Sequence, residues 1–166
     1  LRCAISAGSD SFTNRRHHWI PGGHRVYVYT GDSLNAGDWV ENFREGRSFA
    51  TNGPILRFKV NDQLPGAELK LVSGDRIRVE ASATSLVPMK RLEIVVNGAV
   101  VATENARGNG SSVSLSKEIP VTEGAWVAAR VRGDFHRYLV NDTDLYAHTS
   151  PVYLTVDGKG VSRKAD

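Results

Sequence analysis

From Ile55 onward, apolar and polar residues alternate with a period of two. Leu56, Phe58 and Val60 alternate with Arg57 and Lys59, and Ile77, Val79, Ala81 and Ala83 with Arg76, Arg78 and Glu80. That is the pattern of strands with one face on a core and the other in water. Leu92, Ile94 and Val96 run into Asn97-Gly98, with Val100 and Val101 beyond. An Asn-Gly pair between apolar runs predicts a two-residue hairpin, because both central residues of a type I′ turn need positive φ. Val113, Leu115 and Ile119 predict a further strand, as do Val127, Ala129 and Val131, and Val152, Leu154 and Val156. The predicted shared core comprises Ile77, Val79, Leu92, Ile94, Val96, Val127, Ala129 and Val131. Short strands at this spacing, separated by Gly, Pro and Asn turns, predict an antiparallel β-sandwich of immunoglobulin-like architecture. The cysteine pair of antibody domains is absent. Trp126 reads as a core or sheet-rim anchor.

Upstream of Ile55 the pattern differs. Leu1 to Ala7 reads as a short buried strand ending in a glycine turn and an aspartate. Arg25 to Thr30 is β-branched and aromatic, a strand after Pro21-Gly22-Gly23. Asn35 stands three residues before Asp38, Trp39, Val40 and Phe43 recur at helical spacing, and Gly46 offers a C-terminal stop. This predicts one short helix. Phe49 is expected to be buried, anchoring an ordered connection over residues 46–54. The domain boundaries that follow are 1–54, a leading segment and linker containing the helix; 55–157, the sandwich; and 158–166, a polar tail.

The chain has 166 residues and a net charge of +3, with basic residues spread rather than striped. No basic stripe with interleaved aromatics is present, which argues against nucleic-acid binding. No apolar run is long enough to span a bilayer as a helix. Cys3 is the only cysteine, so an intramolecular disulfide and a cysteine zinc cluster are excluded. It lies in an apolar run and reads as a buried thiol.

Candidate chemistry is sparse. His17 and His18 are adjacent and point apart on extended chain, while His24, His136 and His148 are scattered without metal-ligand spacing. Ser9 and Ser11 flank Asp10, but no nucleophile elbow surrounds them. Asp142 and Asp144 form half a calcium loop without its glycine and distal glutamate, and so read as a solvated turn. Asp10 stands apart. An apolar strand ending in Ala-Gly-Ser-Asp is how a carboxylate reaches the carboxyl-terminal rim of a parallel α/β barrel, where catalytic groups cluster. There it is a hard oxygen ligand suited to a divalent cation. The alternative for Asp10 is a turn cap working through Ser11 and Thr13.

The run Ala7-Gly8-Ser9-Asp10-Ser11-Phe12-Thr13-Asn14-Arg15 resembles the final motif of the CehA/McbA-like metallohydrolases of the polymerase and histidinol phosphatase (PHP) superfamily. The resemblance continues through Pro21 to Val28 and Trp39, and is sharpest over Gly46-Arg47-Ser48-Phe49-Ala50-Thr51-Asn52-Gly53-Pro54. It extends through Leu92–Gly98, Trp126–Val131 and Ala147–Tyr153. It implies that Leu1 to Asp10 is the last strand of a PHP-type α/β barrel whose catalytic body lies upstream. The chain would then be the C-terminal accessory domain of a metal-dependent hydrolase of the phosphoester or carbamate/amide class. Its partner would be the upstream PHP-like catalytic domain. The divalent metal would belong to the full-length parent, with Asp10 as the one metal ligand carried here and no tightly bound metal expected on this chain alone. Phe12 stands where many PHP enzymes have a histidine. The alternative reading is a stand-alone carbohydrate- or protein-binding β-sandwich module.

Overall fold

The computed structural model describes residues 2–14, 20–32, 34–136 and 144–161. Among them are eleven strands and one helix: β1 (Arg25–Val28), α1 (Ala36–Arg44), β2 (Ser48–Thr51), β3 (Ile55–Val60), β4 (Glu68–Leu71), β5 (Arg76–Thr84), β6 (Arg91–Val96), β7 (Ala99–Asn105), β8 (Ser112–Pro120), β9 (Ala125–Phe135), β10 (Asp144–Thr149) and β11 (Val152–Val156).

Two sheets share one core. The smaller is β3–β5–β8, antiparallel throughout. The larger has eight strands organised around β9, which carries β6 and then β7 on one edge. Its other edge is shared: β11 pairs with Ala125–Val127, and β10 with residues between Arg130 and Phe135. Ser150 and Pro151 separate β10 from β11, and Pro151 has no N–H to offer a ladder. Beyond this break the partners diverge. β10 leads to β2 and β1, and β11 leads to β4 in parallel.

All eight residues assigned to the core from periodicity do face it. Seven are fully buried, and Val96 packs against the cluster at its margin. At the predicted hairpin Asn97 and Gly98 have φ of 48° and 88°, and Val96 pairs with Ala99. The helix also forms where expected. The Asn35 side chain accepts from the Asp38 N–H at 2.8 Å, and Trp39 stacks on Phe43 with ring centroids 5.4 Å apart. None of its residues is buried, so it lies on the surface rather than in the core.

Three expectations fail. Residues 2–11 form no strand, and the Cys3 thiol is exposed. An apolar run of a few residues does not itself specify a partner strand, and here it lies along the surface as extended chain. Phe49 is half-buried rather than buried, because it sits at the margin of the core against Tyr27. The connection from 46 to 54 is more than a linker. Its central four residues are β2, inserted between β1 and β10.

Candidate functional site

Both faces of the larger sheet are covered near its centre. Ala50, Val95 and Ala128 are buried yet lie outside the main core cluster, so they mark a second buried row on the outward face. The extended segment before Asp10 is held at this face by two serines. Ser48 Oγ donates to the Ile5 carbonyl at 3.1 Å, and Ser150 Oγ accepts from the Ile5 N–H at 2.9 Å. The two hydroxyls lie 3.0 Å apart, and both residues are buried. Further back, Arg2 pairs with Glu68 and lies over the Tyr153 ring. Hydrogen bonding at a sheet face by side chains instead of a ladder explains why no strand forms.

The turn that follows presents Asp10. Ser9 Oγ accepts from the Gly22 N–H at 2.8 Å and reaches the His24 carbonyl at 3.2 Å, tying the turn to the Pro21–Gly23 corner. Asp10 itself is exposed and has φ of 46°, a left-handed conformation that asparagine and aspartate tolerate better than most residues. Ser11 Oγ is buried without a hydrogen-bond partner among the described residues. The two groups proposed to cap this turn thus differ in environment, with Thr13 exposed and Ser11 enclosed.

Beside this segment the outward face carries polar side chains in register. His148 pairs across with Arg130, and Arg130 with Glu93. Glu93 is only 4% exposed and accepts from Arg91 Nε at 2.6 Å and from Arg130 Nε. Burial alone would raise its carboxyl pKa. The hydrogen bonds and charges of Arg130 and Arg91 outweigh that and hold it below the ordinary carboxylate range. His148 is pushed the other way. Burial lowers its pKa, and the neighbouring Arg130 and Arg132 charges add to this against a backbone hydrogen bond at Thr149 O. Tyr146 stacks with His24 at 6.0 Å, and burial raises its phenol pKa.

The Thr51-Asn52-Gly53-Pro54 turn fixes the start of β10. Asn52 Nδ2 donates to Asp144 O at 2.8 Å, and its Oδ1 accepts from the Tyr146 N–H at 2.9 Å. Thr51 Oγ1 lies 2.8 Å from Pro54 O and accepts from the Gly53 N–H at 3.0 Å. This is the most specific block of the sequence resemblance, and its polar residues act as scaffold for the strand bearing Tyr146 and His148.

A different feature opens on the other side. Between the β1–β2 end of the larger sheet and the three-stranded sheet lies a mostly apolar cleft of about 680 Å³. Tyr27 and Phe49 stack in it, nearly parallel, with centroids 5.1 Å apart.

Among the described residues no three of His, Cys, Asp and Glu gather as a metal cage. Asp10 could supply a single oxygen ligand, so these residues alone do not fit a catalytic divalent ion, which needs several ligands and an open position. His17, His18 and Asp142 lie outside the described residues, as do the last five residues of the 158–166 tail. His24 is brought to Tyr146 and His148 to Arg130, whereas Asp144 opens β10. Sequence reading missed Glu93, because its place between Leu92 and Ile94 marks it as an ordinary solvent-facing position. Ser48 and Ser150 carried no signal of their own. No family model matches the chain, and no curated protein matches it.

Proposed function

We propose that the chain is the C-terminal accessory β-sandwich domain of a PHP-like metal-dependent hydrolase, acting on phosphoester or carbamate/amide bonds. The observation that carries this reading is the docked leading segment. Ser48 and Ser150, one within the Gly46–Pro54 block and one within the Ala147–Tyr153 block, both spend their hydroxyls on the Ile5 backbone. The Ser9-Asp10 turn is thereby presented beside the sandwich, exposed and fixed at its base. That is the geometry expected of a carboxylate handed to a neighbouring catalytic body. In this reading Asp10 adds a single ligand to a metal cage built by the upstream domain.

The finer architecture belongs to the same proposal. The sheet β3–β5–β8 faces β7–β6–β9–β11–β4, and β4 runs parallel to β11. We read this as immunoglobulin-like, with β1, β2 and β10 as an extension that receives the leading segment. Fold alone would serve a binding module equally well.

The second reading, a carbohydrate- or protein-binding module, is favoured by one observation, the cleft with its stacked Tyr27 and Phe49. One experiment separates the two. The native gene product containing this chain is assayed for turnover of a chromogenic phosphoester with added manganese or zinc. The hydrolase reading expects turnover that Asp10→Ala reduces at least tenfold. Turnover indifferent to Asp10, or none with either metal, refutes it.

A further inference from the structure

The cleft between β1–β2 and the three-stranded sheet has a wall and a charge that together specify a ligand, independently of the hydrolase reading. Its apolar wall is formed by Tyr27, Phe49, Leu64 and Pro65. A flat aromatic pair of this kind offers stacking area to a third ring. Four charged side chains also line it: Arg47, Arg57, Lys59 and Glu80. Two of them are already engaged. Arg47 pairs with Glu45 at 2.6 Å, and Glu80 with Arg78 at 3.5 Å. Arg57 and Lys59 make no ion pair within 4 Å among the described residues, although Lys59 stands opposite Glu80 across the β3–β5 ladder. They alternate with Leu56 and Phe58 on β3, so they share one face and stand about 7 Å apart along the strand. Ser82 and Ser114 lie in register with Arg57 across the sheet and add hydroxyls to the same lining.

We infer that this cleft binds an aromatic carboxylate, its ring against Tyr27 and Phe49 and its anionic end at Arg57 and Lys59. The volume suits a small organic molecule, since ligand pockets commonly span about 300–1,000 Å³. Arg47, Arg57 and Lys59 outnumber Glu80 in the lining, and this net positive charge favours a negative group at one end, while the aromatic wall favours a planar apolar body at the other. A neutral aromatic of equal size would gain the stacking and lose the charge interaction.

The test is calorimetric titration of the 166-residue chain with 2-naphthoate and, separately, with 2-naphthalenemethanol. Naphthoate is expected to bind at one equivalent and at least fivefold more tightly than the alcohol. The double variant Arg57→Gln/Lys59→Gln should abolish that preference while leaving the alcohol's affinity within twofold. Phe49→Ala should weaken both ligands at least tenfold. Should that variant fail to fold, the exposed Ser114→Glu serves instead, weakening naphthoate and sparing the alcohol. Equal affinity for the two ligands, no saturable binding of naphthoate, or a preference that survives the charge variant would overturn the assignment. None of these outcomes bears on Asp10 or on metal content, so failure here is distinct from failure of the hydrolase reading.

Discussion

Gly66→Ala should be among the most damaging single-methyl changes in this protein, and its cost separates sterics from backbone preference. Gly66 lies in the loop between β3 and β4 with φ of +87°, and its N–H donates to Pro151 O at 2.8 Å. A Cβ there would fall 1.7 Å from the Glu45 carbonyl oxygen and 2.7 Å from its carbonyl carbon. Both are backbone atoms, just past the end of α1, and cannot swing aside as a side chain would. Gly98 is a matched control, with φ of +88° and nothing within 4 Å of its added Cβ. The left-handed conformation costs an alanine about 1–2 kcal/mol at either site. Gly66→Ala adds overpacking of about 1–3 kcal/mol and the weakening of a hydrogen bond of net worth about 1 kcal/mol. The expected losses are about 3–6 kcal/mol at Gly66 and about 1–2 kcal/mol at Gly98. For a chain of this size each kcal/mol moves Tm by about 2–4 °C. Urea unfolding followed by tryptophan fluorescence, with Tm from calorimetry, measures both. Equal losses at the two sites would refute the close approach of the 64–67 loop to the end of α1.

Further predictions concern the outward face. The Glu93 carboxyl is held below its unfolded range, so its stabilisation is present above about pH 4.5 and is lost as pH falls through the folded value. Stability measured from pH 6 to pH 3 should drop more steeply in the native protein than in Glu93→Gln, which should lose about 1–3 kcal/mol at pH 7. Burial depresses the His148 pKa, so it favours the fold above about pH 6.5 and resists it as pH falls below. His148→Gln should flatten the stability profile between pH 7 and pH 5, and an unchanged slope would place His148 in water. Ser150→Ala removes the acceptor for the Ile5 N–H and should cost about 1 kcal/mol. Limited proteolysis should then cut residues 2–11 faster, with little change in the cleavage rate of the sandwich.

What was legible in the sequence followed from period. Ile77, Val79, Leu92 and Val131 alternate cleanly with charges, and each is fully buried. Asn97-Gly98 declared its turn because few other pairs adopt two successive positive φ values. Strands β2, β4 and β10 were not anticipated, the last because Asp144 reads as part of a solvated turn. Ser48–Thr51 is buried at three of four positions, so no alternation shows, and Glu68–Leu71 is too short to weigh. The leading segment misled for a related reason. Leu1 to Ala7 has the composition of a buried strand, yet two distant serines bond its backbone instead. Glu93 was invisible because its burial depends on Arg91 and Arg130, which approach from its own strand and its neighbour.

The central claim is that Asp10 completes a metal cage supplied by an upstream catalytic domain. Elemental analysis of the native gene product containing this chain, purified in parallel with its Asp10→Ala variant, tests it most directly. The account predicts manganese, zinc or iron near stoichiometry in the native protein and a clear fall in the variant, with the isolated 166-residue chain holding far less than one equivalent. Metal content unchanged by Asp10→Ala, or a full equivalent retained by the isolated chain, would contradict it.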